Sequence, residues 1–174
     1  MKYYKILFFT ITFLLSINVF GQDVNMITKV SSYLESNGTI KQYKNAYLEL
    51  LNLMEKQFPK SDRNSDGWLY LERNEKKALQ EIQDLLVPVY IKHFNNSDID
   101  KMKAFYNTDA GKQLIENKNK LTDSQSIEVN TFFNSEVGIK LKEKQEVLSI
   151  EIAGVSEYWS KDLYQTAVLL LKEE

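Results

Sequence analysis

The chain has 174 residues, a formal net charge of −2 and no cysteine. Without thiols it has no disulfide framework, no thiolate nucleophile, no cysteine-based zinc site and no cysteine on which a lipoprotein anchor could be built. The near-even balance of 22 basic and 24 acidic residues argues against a general nucleic-acid binder, which needs a basic face to displace counterions from phosphates.

Lys2 and Lys5 precede an apolar run over residues 6–15, and Val19 and Gly21 stand three and one residues before Gln22. That order is the signature of a cleaved signal peptide, here residues 1–21. The expected product is a soluble periplasmic or secreted chain without a lipoprotein anchor. Residues 22–174 form its single domain. The apolar run is shorter than the roughly 20 residues that span a bilayer, and no later stretch approaches that length, so the mature chain is not expected to cross a membrane.

In the segment 22–58, Ile27, Val30 and Leu34 fall at helical spacing and Ser36-Asn37-Gly38 supplies a stop. A second helix, with Thr39 as its expected cap, carries the stripe Ile40, Tyr43, Tyr47, Leu50, Leu51, Met54 and Phe58 up to Pro59. The polar segment 59–67 reads as a loop. It holds one metal-like pattern, Asp62, Asn64 and Asp66 followed by Gly67, which places oxygen donors at the alternate positions of a calcium loop. The twelfth position, where such a loop needs a bidentate Glu, is Arg73, and the pattern reads as a near miss on an exposed loop. Across 68–94, Leu71, Ala78, Leu79, Ile82, Leu85, Leu86, Val89, Tyr90 and Phe94 predict one long helix, kinked or broken at Pro88, because an interior proline costs about 3 kcal/mol.

The C-terminal half contains a repeated stretch. Phe105-Tyr106-Asn107-Thr108-Asp109-Ala110-Gly111 recurs 27 residues later as Phe132-Phe133-Asn134-Ser135-Glu136-Val137-Gly138, and each copy continues to a Leu and a Glu, Leu114 and Glu116 or Leu141 and Glu143. With the capping signals upstream, including Thr122 and Gln125, the copies read as two helical hairpins, 95–120 and 122–147. Thr108 and Ser135 are the expected caps of the second helices, with Asp109 and Glu136 in their first turns. Gly111 and Gly138 fall inside the first turn, where glycine is unfavourable, which points to close approach of a neighbouring helix or ring. The paired aromatics read as core anchors. A C-terminal helix over 148–174, with Ser149 placed to cap it, carries Leu148, Ile152, Val155, Tyr158 or Trp159, Leu163, Ala167 and Leu170, and residues 168–171 are apolar on all sides. The expected fold is all-α, a single-domain bundle or array of about six to eight helices.

Pro88-Val89-Tyr90-Ile91-Lys92-His93-Phe94, followed by Phe105-Tyr106-Asn107-Thr108-Asp109-Ala110-Gly111, resembles the family of exported bacterial proteins known as domain of unknown function 2059. The likeness covers about residues 75–145. Two departures stand out: Asp109 replaces the usual Pro after the cap, and Asn95-Asn96-Ser97-Asp98 replaces a Thr followed by acids. Both substitutes still start a helix. The resemblance implies an all-helical exported domain and brings no activity with it.

Chemistry-bearing constellations are sparse. His93 is the only histidine, and Ser97, Asp98 and Asp100 lie close to it in sequence, but the capping role of residues 95–98 competes with a hydrolytic one. One His without Cys does not make a zinc site. No catalytic residue and no cofactor is assigned on this basis. Three readings remain: a non-catalytic module that binds another envelope protein, a carrier of an apolar or lipid-like ligand between helices, and an enzyme of unrecognised type.

Overall fold

The structure is a computed structural model describing residues 24–172, so the expected signal peptide lies outside the described residues. Within them all regular structure is helical. Helix α1 covers residues 24–36. It is followed by α2 (Thr39–Gln57), α3 (Ser65–Arg73), α4 (Glu75–His93), α5 (Asn96–Tyr106), α6 (Asp109–Asn117), α7 (Asp123–Phe133), α8 (Glu136–Glu143) and α9 (Gln145–Leu171), with one 3-10 turn at Lys118–Lys120. The all-α class holds, and no described helix is long and apolar enough to cross a membrane.

Local chemistry explains most boundaries. Gly38 adopts φ 79°, a left-handed conformation that lets α1 turn directly into α2. Thr39 is not the cap: Gly38 occupies that position, and the Thr39 N–H donates to the Asn37 side chain at 3.0 Å. The loop is shorter than 59–67, because α3 begins at Ser65. Gly67 therefore lies inside a helix and is buried against α9. A Cβ there would collide with the Leu170 carbonyl, whose carbon it would approach to 3.0 Å.

The expected single helix over 68–94 is two. The break falls at Asn74 (φ −90°, ψ 0°), not at Pro88, and α4 runs through Pro88 unbroken. The two pieces serve different cores. Leu71 of α3 packs with Met54, Trp68, Ala167 and Leu171, whereas Ala78 of α4 belongs to the main core. Pro88 and Asp84 are both on the exposed face of α4, where water can reach the Asp84 carbonyl that loses its helical donor.

The main core is built around α4. Its residues Ala78, Ile82, Leu86, Val87 and Tyr90 meet Met26, Val30, Tyr33 and Leu34 of α1, Ile40 and Tyr47 of α2, Ile99 and Met102 of α5, and Leu148, Trp159 and Leu163 of α9. In α1 the buried position is taken by Met26, while Ile27 is 46% exposed. In α9 Trp159 is the core residue of the Tyr158–Trp159 choice. Its indole N–H donates to the Ala78 carbonyl at 2.9 Å, and Tyr43 meets the ring edge-on. Helix α9 starts at Gln145, so Ser149 sits inside it and donates to the Gln145 carbonyl rather than capping. The terminal apolar run divides: Leu171 is fully buried and Leu169 is 81% exposed.

Because Ile82 is fully buried at the centre of this core, Ile82→Ala is expected to lower the unfolding free energy by about 2–5 kcal/mol. Urea denaturation followed by circular dichroism measures the loss.

Candidate functional site

The two junctions at the repeated stretch share one geometry. At the first, the Thr108 hydroxyl accepts from the Gly111 N–H at 3.1 Å and donates to the Phe105 carbonyl at 2.9 Å. At the second, the Ser135 hydroxyl accepts from the Gly138 N–H at 3.3 Å and donates to the Phe132 carbonyl at 2.6 Å. One hydroxyl thus links the end of one helix to the start of the next. A Cβ on Gly111 would collide with the Phe105 carbonyl oxygen, and one on Gly138 with that of Phe132. The close neighbour is backbone of the preceding helix, not an aromatic ring. Upstream, Asn95 and Asp98 form a capping box on α5, as Thr122 and Gln125 do on α7.

The aromatic pairs hold the junctions together unequally. Phe105 and Phe132 stack with centroids 3.9 Å apart and planes 2° from parallel, and Tyr106 and Phe133 meet them edge-on. Phe105 is buried, but Phe133 is 37% exposed and α7 contains no buried residue. As a core anchor Phe133 therefore fails. Helix α7 carries too few apolar residues on its inner side to bring the whole hairpin into the core. A second cluster, Tyr33, Tyr90, Tyr106 and Phe94, closes the inner side. Burial pushes the Tyr90 hydroxyl up to about 12, helped by Tyr106 and Tyr43. Burial also raises Tyr33 well above its ordinary value, with Tyr90 and Tyr106 adding to the effect. These phenols stay protonated at neutral pH.

His93, Asp98 and Asp100 each pair with a different helix. His93 Nε2 lies 3.0 Å from Glu151 Oε2 on α9, and Lys92 pairs with the other carboxylate oxygen. Hydrogen bonds from Lys92 and then His93 hold the Glu151 carboxyl below its usual range. Asp98 joins its capping box to Lys140 of α8, and Lys140 also lies 5.8 Å from the Phe94 ring centroid. Burial works to raise the Asp98 pKa, but the Lys140 ammonium and the Asn95 N–H outweigh it, so the net shift is downward. Asp100 pairs with Lys29, and Ser97 is exposed. Of the calcium-like residues, Asn64 and Asp66 have local roles. The Asn64 side chain is buried, accepting from the Ser61 N–H at 2.9 Å and donating to the Pro59 carbonyl at 3.0 Å, while Asp66 stands in the first turn of α3. Among the described residues no three His, Cys, Asp or Glu side chains form a metal-binding group, and no buried side-chain nitrogen or oxygen lacks a partner.

The arrangement does build an apolar groove. The α7–α8 hairpin is tied to α5 and α6 by the Phe stack, the Asp98–Lys140 pair and buried Val137, and its contact with α9 is slight. The gap left between hairpin and bundle is about 480 Å³. Tyr90 of α4 forms its floor, Phe133 and Leu141 one wall, and Leu148 and Ile152 of α9 the other, with Lys142, Gln145 and Ser149 at the edge. Reading the sequence missed this groove. Leu141 was visible as the repeated partner of Leu114, and Leu148 and Ile152 as part of a helical stripe, but nothing in their spacing brings them to one gap.

Residues 80–127 match the family described as "Uncharacterized protein conserved in bacteria (DUF2059)". The family resemblance is thereby shown for that segment, which runs from within α4 to within α7 and includes Tyr90, His93, Phe94, Phe105, Tyr106, Thr108 and Gly111. Neither among curated proteins nor among solved structures does anything match the chain.

In an open helix, replacing glycine with alanine adds up to about 1 kcal/mol of stability. Gly111→Ala and Gly138→Ala are expected to do the reverse and lower the melting temperature, because the new methyl group meets immovable backbone. Asp98 makes a prediction about pH. Its folded pKa is depressed, so its stabilising contribution is present above the unfolded carboxyl value and is lost as pH falls through the folded one. Asp98→Asn should therefore destabilise the protein at neutral pH, with the difference from wild type shrinking in acid, as read from denaturation midpoints across pH.

Proposed function

We propose that the protein is an exported, non-catalytic helical module that binds another protein of the cell envelope through the groove between α4, α8 and α9. Apolar side chains of the partner fill the groove, and an acidic residue of the partner meets Lys142 at its edge. The groove itself carries this reading. It is about 480 Å³, open to solvent and apolar on both walls, and aromatic and aliphatic anchors seated in such pockets supply most of the binding energy at protein interfaces. The use of His93, Asp98, Asp100 and Asn64 in structural pairs and caps supports a binding role over a catalytic one.

A second reading draws on the same observation. The volume lies within the range of small-molecule sites, and Lys142 beside apolar walls suits an acyl chain with an anionic head, so a carrier of a lipid-like ligand is the alternative.

A photo-crosslinking residue at Ser149, with one at Ser124 on the exposed start of α7 as control, separates the two in intact cells. The expected result is a discrete protein adduct from position 149 alone, abolished by Leu141→Glu. An adduct that partitions into organic solvent with the mass of a lipid would establish the carrier reading instead. No adduct specific to position 149 would sink both. Export is tested independently: N-terminal sequencing of the mature protein is expected to begin at Gln22.

A further inference from the structure

Helix α9 turns one face inward through Leu148, Ile152, Trp159 and Leu163. Its opposite face carries a second apolar stripe, Val147, Ile150, Gly154 and Tyr158, at successive spacings of three, four and four residues. Ile150 is 67% exposed and Tyr158 64%. Tyr158 also borders a cleft with Glu81, Asp84 and Leu85 of α4 but stays largely exposed. Gly154 at the centre is unlike Gly67, Gly111 and Gly138: a Cβ on it would meet no atom within 4 Å, so the fold of the single chain does not require a glycine there. Glycine is a poor helix former, and its position on an exposed apolar stripe beside Ala153 leaves room for another helix to come close.

We infer that this face is where two copies of the chain associate, with their α9 helices antiparallel and the two-fold axis passing at Gly154. Charge selects both occupant and direction. In this register Ile150 lies opposite the second copy's Tyr158. Lys161, on the stripe's own arc between Ile150 and Gly154, falls opposite the second copy's Val147 and next to its Glu146, and on the flank beyond Tyr158 Lys144 falls near the second copy's Asp162. Symmetry repeats both pairs. None of these four residues forms an ion pair among the described residues. A parallel register would set Lys161 against Lys161 and Glu146 against Glu146, like charge against like. The stripe from Val147 to Tyr158 spans about 17 Å at about 1.5 Å per residue, a short interface, so the association depends on concentration.

The surface lies on the far side of α9 from the groove, and the inference does not rest on the function proposed for the groove. Sedimentation of the purified protein from micromolar to millimolar concentration is expected to show a monomer–dimer equilibrium. Lys161→Glu should raise the dissociation constant at least about tenfold, and adding Glu146→Lys should restore it. Gly154→Leu should abolish the dimer while the melting temperature holds or rises, which separates lost association from lost folding. The chain has no cysteine, so Gly154→Cys supplies a single thiol on the axis, and oxidation is expected to link two copies where Ser124→Cys does not. A monomer throughout the concentration range, a dimer indifferent to Gly154→Leu, or cross-linking of this face only to a different protein would overturn the inference.

Discussion

The bond between the Trp159 indole and the Ala78 carbonyl joins residues 81 apart in sequence and marks the contact on which the rest of the fold depends. It locks α9 to α4, the most extensive pair among the described helices from α2 onward. Ala78 is small enough to let the indole reach backbone, and Tyr43 closes the ring from α2. With α4 and α9 set, the remaining helices have defined faces to cover. Helices α1 and α2 pack on one side of α4, α3 presses Gly67 against the end of α9, and α5 continues from Phe94 over the far end of the core.

The C-terminal hairpins follow a different logic. Their second helices are short, and although α5 buries Ile99, Met102 and Phe105, α7 buries no residue, so the second hairpin cannot be held by apolar area alone. Definite local chemistry takes its place: a hydroxyl that serves both helix ends, a glycine that permits the sharp turn between them, and one face-to-face phenylalanine stack that joins the two units. The outcome is a hairpin attached along one side and open along the other. The groove is the direct consequence of that asymmetric attachment.

Much of this was legible from residue types. The stripe in α2, the glycine stop at Gly38, the capping box at Thr122 and Gln125, and the caps Thr108 and Ser135 all depend on interactions within a few residues, and each was read at the right place. The errors share a cause. Asn74 breaks a helix because Leu71 and Ala78 belong to separate cores, and Pro88 is tolerated on an exposed face of α4, where water can reach the Asp84 carbonyl that it leaves without a donor. Gly67 looked like a loop glycine and is a contact with α9. For Asn74 and Gly67 the deciding partner lies far away in sequence, and for Pro88 it is the exposure of its helix face, which packing elsewhere decides.

The same distinction separates function from fold. Glu151 gathers Lys92 and His93 from 59 and 58 residues away, and Lys140 reaches Asp98 from 42. These pairs draw the only histidine and a buried carboxylate into structural roles that local pattern could not assign. By itself the sequence determined the helical class, the capped junctions and the family signature, because periodicity, caps and turn residues act over one or two helical turns. Only the tertiary structure decided which apolar side chains were buried and which were left as a groove and a stripe, because that depends on where α4, α8 and α9 come to lie against one another.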